Sequence, residues 1–427
     1  MPNMMDYLAA YGESTVEEAP WCALDSLLLA NLCYIDPGPL AATREGITLG
    51  RLSPRVDLDA QTSLSYRRER GALMHAMAAS RRFGDMRLCH YVCVLEPSVP
   101  IQFSAVVCLI PGGTTVIAYR GTDNTLTGWR EDLYMSFESP VPAQSAALSY
   151  LMQEAALLSG DLMLCGHSKG GNLAAFAATH ATPEVQKRIR SVCSFDGPGL
   201  DDETTASEGY ARISPVLDSY VPQDSVIGLL MDHESDYRVV YSTASGLRQH
   251  DAFSWQTEGA DFVYRQSISV SSRLMDRTLH AWLRQCAPAQ RRLCVDAIFD
   301  LMEATGAPTL NALRQDGFAN IARILSRLGD IEPEARQAFL RLAWELVQSS
   351  ASSAAGMVSE AQAVEQLRQH LSAATSGMQD VMQSISLDTV KQRTREALQH
   401  MGTRLVEQAL PHRNRTQGDD EHDAPEA

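Results

Sequence analysis

Leu162-Met163-Leu164-Cys165-Gly166-His167-Ser168-Lys169-Gly170-Gly171-Asn172-Leu173-Ala174-Ala175-Phe176 sets the architecture of this 427-residue chain. An apolar run of strand type comes first, then Gly-His-Ser-Lys-Gly, then an alanine-rich run of helix type. That order, strand then G-x-S-x-G then helix, is the context in which a serine sits exposed on a sharp turn. The turn demands small residues beside the serine, and Gly166 and Gly170 meet that demand. It places Ser168 at the amino end of a helix, where free N–H groups and the helix dipole favour negative charge.

Upstream and downstream the texture agrees. Leu88 to Leu95, Phe103 to Ile110 and Thr115 to Tyr119 are short runs rich in Val, Ile, Cys and Tyr, and read as strands. Pro111-Gly112-Gly113-Thr114 reads as the hairpin turn between the last two. A helix is predicted from about Gln144 to Leu158, and strands over 190–195, 216–221 and 237–241. Strands alternating with helices predict an α/β fold with a mainly parallel sheet, whose sites form beyond the carboxyl ends of the strands. Thr122, Ser168, Asp196, Asp224 and His250 all follow predicted strands, so they converge at one edge.

The chain divides by texture into a helical lead-in over 1–85 that packs on the core, an α/β core over 86–262, and a helical extension over 263–348. An amphipathic helical arm over 349–410 and a disordered acidic tail over 411–427 follow. In the arm Met357, Val364, Leu371, Met378 and Ile385 recur at heptad spacing, while Arg368 and Thr375 spoil a coiled-coil seam. The arm, over 357–405, is the segment fit to meet a protein partner or a membrane surface. The formal net charge of −16 argues against a nucleic-acid partner. Arg67, Arg68, Arg70, Arg81, Arg82 and Arg87 read as a solvated arginine-rich helix in preference to a phosphate site. The nine cysteines are odd in number, scattered and set in apolar runs, which points to reduced thiols and a cytoplasmic protein. The amino terminus lacks a signal-peptide pattern. No metal-ligand spacing is seen, and no cofactor or metal is expected.

A serine nucleophile needs a base, an acid to orient the base, and N–H donors for the oxyanion. Asp196 and Asp224 are the acid candidates; His180, His233 and His250 are the histidines between the serine and the helical region. His180 lies too far down the elbow helix, and His233 sits in the charged run Asp232-His233-Glu234.

Ala118-Tyr119-Arg120-Gly121-Thr122, with Trp129 and Asp132, resembles the oxyanion segment of the fungal-type (class 3) triacylglycerol lipases, and Gly166-His167-Ser168 resembles their elbow. The fuller set adds Phe195-Asp196-Gly197-Pro198-Gly199, Val221-Pro222-Gln223-Asp224-Ser225 and Gln249-His250-Asp251 with Trp255. It resembles an uncharacterised bacterial family of lipase-like α/β-hydrolases. The resemblance implies an α/β-hydrolase fold plus a helical extension, with Ser168 as nucleophile, Asp224 as acid and His250 as base. Thr122 and the Lys169 N–H would be the oxyanion donors, and Asp196 a turn residue or pocket wall. It implies a serine hydrolase that cleaves a carboxylic ester or thioester, taking a small-molecule or lipid ester. Lys169 departs from the apolar residue usual in those lipases, and a charge beside the site points away from bulk triacylglycerol. The competing expectation is a catalytically idle scaffold that presents its helical arm.

Overall fold

The computed structural model describes residues 1–225, 227–229, 237–269, 272 and 288–303. The chain divides into two compact units, Met1–Ala343 and Trp344–Ala427, and the described residues all lie in the first. The expected arm, the acidic tail, His233 and most of the 263–348 extension lie outside the described residues.

A nine-stranded sheet forms the middle layer. Its strands are β1 (Ile47–Thr48), β2 (Arg87–Glu96), β3 (Ile101–Leu109), β4 (Thr115–Tyr119), β5 (Leu162–His167), β6 (Ile189–Phe195), β7 (Leu217–Pro222), β8 (Tyr237–Val240) and β11 (Tyr264–Arg265), in the order β1-β2-β3-β4-β5-β6-β7-β8-β11. A separate two-stranded ribbon pairs β9 (Thr257–Glu258) with β10 (Asp261–Phe262). Strands β4 to β8 run parallel, while β1 to β4 pair antiparallel and β11 closes the far edge antiparallel to β8. The sheet is therefore mixed, with a parallel centre. The antiparallel edge follows from the short Ile110–Thr114 connection, which can only make a hairpin, whereas the later strands are joined through helices.

Helices α1 (Met4–Tyr11), α2 (Ala23–Leu32), α3 (Leu49–Leu52) and α4 (Arg67–Ala79) precede the core strands. α5 (Leu126–Tyr134), α6 (Pro142–Leu157) and α7 (Lys169–His180) are interleaved with them, as are the short α8 (Pro183–Gln186), α9 (Asp202–Thr205) and α10 (Glu208–Ile213). The period-2 alternation of the strands sorts the core into two layers. Val116, Ala118, Cys165 and Cys193 face α1, α2 and α4. Ile117, Tyr119, Leu162 and Leu164 face α6 and α7, where Ala143, Ala147, Leu173 and Ala177 allow close approach. Within residues 1–85 the regular elements are helices and β1, which joins the sheet edge.

Two arginines depart from the expected solvated helix. Arg82 and Asp25 form an ion pair at 2.6 Å with both side chains fully buried. Tyr7 and the Cys22 N–H also donate to Asp25, and Arg82 donates to the carbonyls of Ser14, Thr15 and Ala19. The pair knits α1, α2 and the turn after α4 together. Asp25→Ala leaves a buried guanidinium uncompensated, so a loss of about 3–5 kcal/mol is expected in urea unfolding. Arg70 is the second buried arginine, 3% exposed.

The described part of the 263–348 extension is a helix, α11 (Pro288–Glu303), which packs on α5. Val295 and Phe299 join Leu126, Tyr134 and Met135 in a small apolar cluster. Arg130 on α5 meets Asp296 at 3.0 Å and Asp300 at 2.8 Å.

Candidate active site

Ser168 follows β5 directly and precedes the first residue of α7. Its backbone sits at φ 59°, ψ −135°, a region that non-glycine residues rarely occupy. A Cβ on Gly166 would lie 2.1 Å from the carbonyl carbon of Gly170, and one on Gly170 would lie 2.2 Å from the Tyr119 carbonyl oxygen. The two motif glycines are therefore required by close backbone approach. The Ser168 side chain makes no capping hydrogen bond to α7, which leaves Oγ uncommitted to the helix.

His250 lies in the loop after β8, its side chain 26% exposed, and its ring centroid is 4.5 Å from that of His167, the residue before the serine. His250 Nδ1 lies 2.6 Å from Asp196 Oδ2. The Asp196 carboxylate is 1% exposed. Its other oxygen accepts from Ser225 Oγ at 2.5 Å and from the Gly228 N–H at 3.1 Å. Asp196, like Ser168, has a left-handed backbone, φ 49°. Asp196 thus makes the contact that the sequence assigned to Asp224. Asp224 instead pairs with the side chain of Gln249: Gln249 Nε2 donates to Asp224 Oδ2 at 2.6 Å, and the Asp224 N–H donates to Gln249 Oε1 at 2.9 Å. Asp224 therefore fixes the residue before the histidine, and not the imidazole. Asp196 follows β6, the immediate neighbour of β5, whereas Asp224 follows β7, one strand further out.

His167 is buried between two partners. Its Nδ1 lies 3.0 Å from the Tyr34 hydroxyl and its Nε2 is 2.8 Å from the His250 carbonyl oxygen, to which it donates. Burial, with the neighbouring His250 and Arg70, holds it well below the ordinary histidine range. A neutral His167 thus bridges Tyr34 to the backbone of His250.

Lys169 is not a charge at the mouth of the site. Its side chain is fully buried, with Nζ 2.9 Å from Glu131 Oε2 and 3.4 Å from Asp132 Oδ1. Burial alone would lower its pKa, but Glu131 and Asp132 outweigh that and hold it raised. Glu131 also accepts the N–H groups of Gln102 and Ala143. Asp132 accepts from Thr122 Oγ1 at 2.5 Å, and its own acid is raised by burial in spite of Lys169. Glu131 and Asp132 on α5 thereby tie Thr122, after β4, to Lys169, after the serine. As the first residue of α7, Lys169 has an N–H with no carbonyl one turn back. Glu131 escaped the reading of the sequence, and Gln249 was read only as the neighbour of His250, because the partners of both, Lys169 and Asp224, are distant in the chain.

Among the described residues no group of three His, Cys, Asp or Glu is placed to hold a metal ion, and no helix is long and apolar enough to cross a membrane.

Residues 77–300 match the family model described as Mbeg1-like. The chain belongs to the Mbeg1-like family. That assignment corrects the resemblance to class 3 lipases and to lipase-like hydrolases, because the matched model is Mbeg1-like and no lipase family is found. The misleading motifs are local: a glycine-flanked serine on a strand–helix turn answers a backbone constraint that unrelated chains share. No curated protein matches the chain significantly. The Mbeg1-like region spans β2 to β8, and with them Ser168, Asp196 and His250.

Proposed function

We propose that this Mbeg1-like protein is a serine hydrolase of α/β-hydrolase type that cleaves a carboxylic ester or thioester through an acyl-enzyme. The observation that carries the reading is the 2.6 Å contact between His250 Nδ1 and buried Asp196, with the His250 ring packed on His167, the residue before a serine in the strained elbow conformation. With Nδ1 held by the carboxylate, Nε2 is the nitrogen left to take the Ser168 proton and return it to the leaving group. The Lys169 and Thr122 N–H groups would receive the oxyanion. A substrate that is a small-molecule or lipid ester fits this chemistry. Free thiols at the seven described cysteines support a reducing compartment, which we take to be the cytoplasm.

The test is labelling of the purified full-length protein with a fluorophosphonate, with the modified peptide mapped by mass spectrometry. Label on Ser168 that disappears in His250→Ala is expected. A folded protein that takes no label at Ser168 would identify an idle scaffold.

A further inference from the structure

Arg70 sits inside the protein, and the carboxylate that acts on it, Asp251, does so without a direct ion pair among the described residues. Its guanidinium carbon stands 3.6 Å over the ring of Tyr34. Nη1 donates to the Ser65 carbonyl at 2.7 Å, and Nε is buried with no hydrogen-bond partner. Arg70 forms no ion pair among the described residues. Buried charges are ordinarily paired, and a cation–π contact with one carbonyl is thin compensation.

A second arginine nearby is only partly satisfied. Arg120 is 6% exposed; its Nη2 meets Asp123 at 3.8 Å and Cys93 Sγ at 3.7 Å, but its Nε is unpartnered. A Cβ on Gly121, the residue after Arg120, would lie 2.1 Å from the Tyr34 hydroxyl, and Arg70 stacks on the Tyr34 ring, so the two arginines lie in one neighbourhood. The Nε groups of Arg70 and Arg120 are thus two buried guanidinium donors without a partner, and an oxyanion would satisfy them.

The neighbourhood touches the serine site. Tyr34, beneath Arg70, bonds to His167, and Asp251, after His250, feels the Arg70 charge. Towards solvent lies Tyr66, 46% exposed, with its ring 5.7 Å from the Arg70 guanidinium and a left-handed backbone, φ 49°. Arg70 is thus one side chain deep at the edge of the site.

We infer that Arg70, assisted by Arg120, binds a carboxylate or phosphate group on the ester that Ser168 attacks. The inference rests on the hydrolase reading for the word ester, but not for the anion. The substrate class becomes an ester with an anionic group on its acyl or alcohol side.

The test compares p-nitrophenyl butyrate with the p-nitrophenyl monoester of glutaric acid on the full chain. The ratio of kcat/KM for the charged over the neutral ester should fall about 10- to 100-fold in Arg70→Gln, mainly through KM, and recover in part in Arg70→Lys. An unchanged ratio overturns the inference. A second measurement needs neither turnover nor a variant at the buried arginine: folded Ser168→Ala protein is titrated calorimetrically with glutarate and with inorganic phosphate. Binding of glutarate supports a carboxylate ester, and binding of phosphate supports a phosphorylated one. Silence with both at millimolar concentration overturns the anion site. Anion binding without fluorophosphonate labelling would remove the hydrolase reading alone.

Discussion

Ser168→Ala is expected to lower kcat on p-nitrophenyl butyrate by about 10^4- to 10^6-fold, to a residue set by binding and the oxyanion donors. The size of the effect follows from the division of labour at the site. Among the described residues no other serine or threonine has a positive φ, and the helix start behind Ser168 cannot supply a nucleophile. The fold should survive the change, because the side chain caps nothing and the turn is held by the Ser168 N–H donating to Phe195 and its carbonyl accepting from Gly171. Loss of rate with an unaltered urea midpoint is the expected pair of results. A variant that keeps the wild-type rate on every activated ester would remove Ser168 from the chemistry.

The second large effect separates the two aspartates. Asp196→Asn should lower kcat by about 10^4-fold, because an amide can donate to His250 Nδ1 and hold the wrong tautomer. Ser225 Oγ and the Gly228 N–H remain to seat the side chain, so the geometry persists while the charge is lost. Asp224→Asn keeps a hydrogen-bonding partner for Gln249 and should cost less than about tenfold. Rates on one activated ester for both variants decide the matter, and equal losses would return Asp224 to the catalytic set.

The buried ionic groups around α5 tie together Thr122 and Lys169, the two residues proposed to receive the oxyanion. Removing Glu131 would leave buried Lys169 with Asp132 alone, at 3.4 Å, and would also strip acceptors from the Gln102 and Ala143 N–H groups. Such a loss is far larger than the net worth of the pair itself. α11 packs on the other side of α5 through Val295, Phe299 and the Arg130 ion pairs, so part of the expected helical extension braces the element that carries Glu131 and Asp132.

The local features were legible in the amino-acid order. The elbow at 166–170, the apolar runs of β4 and β5, the hairpin at 111–114 and the placing of Thr122, Ser168, Asp196, Asp224 and His250 after strands each depend on a few adjacent residues. Their backbone angles and side-chain periods are local properties. Partnerships were not legible. His250 reaches Asp196 across 54 residues in preference to Asp224, which is nearer in the chain, because β6 lies beside β5 in the sheet. Lys169 turns inward to Glu131, 38 residues away, because α5 folds against the start of α7. Arg70 and Arg82 look like any surface arginines in a polar helix, yet packing on Tyr34 and Asp25 buries both. Motif and periodicity settled where the candidate residues stand; only tertiary packing, which brings distant charges into one low-dielectric interior, decided which of them face each other.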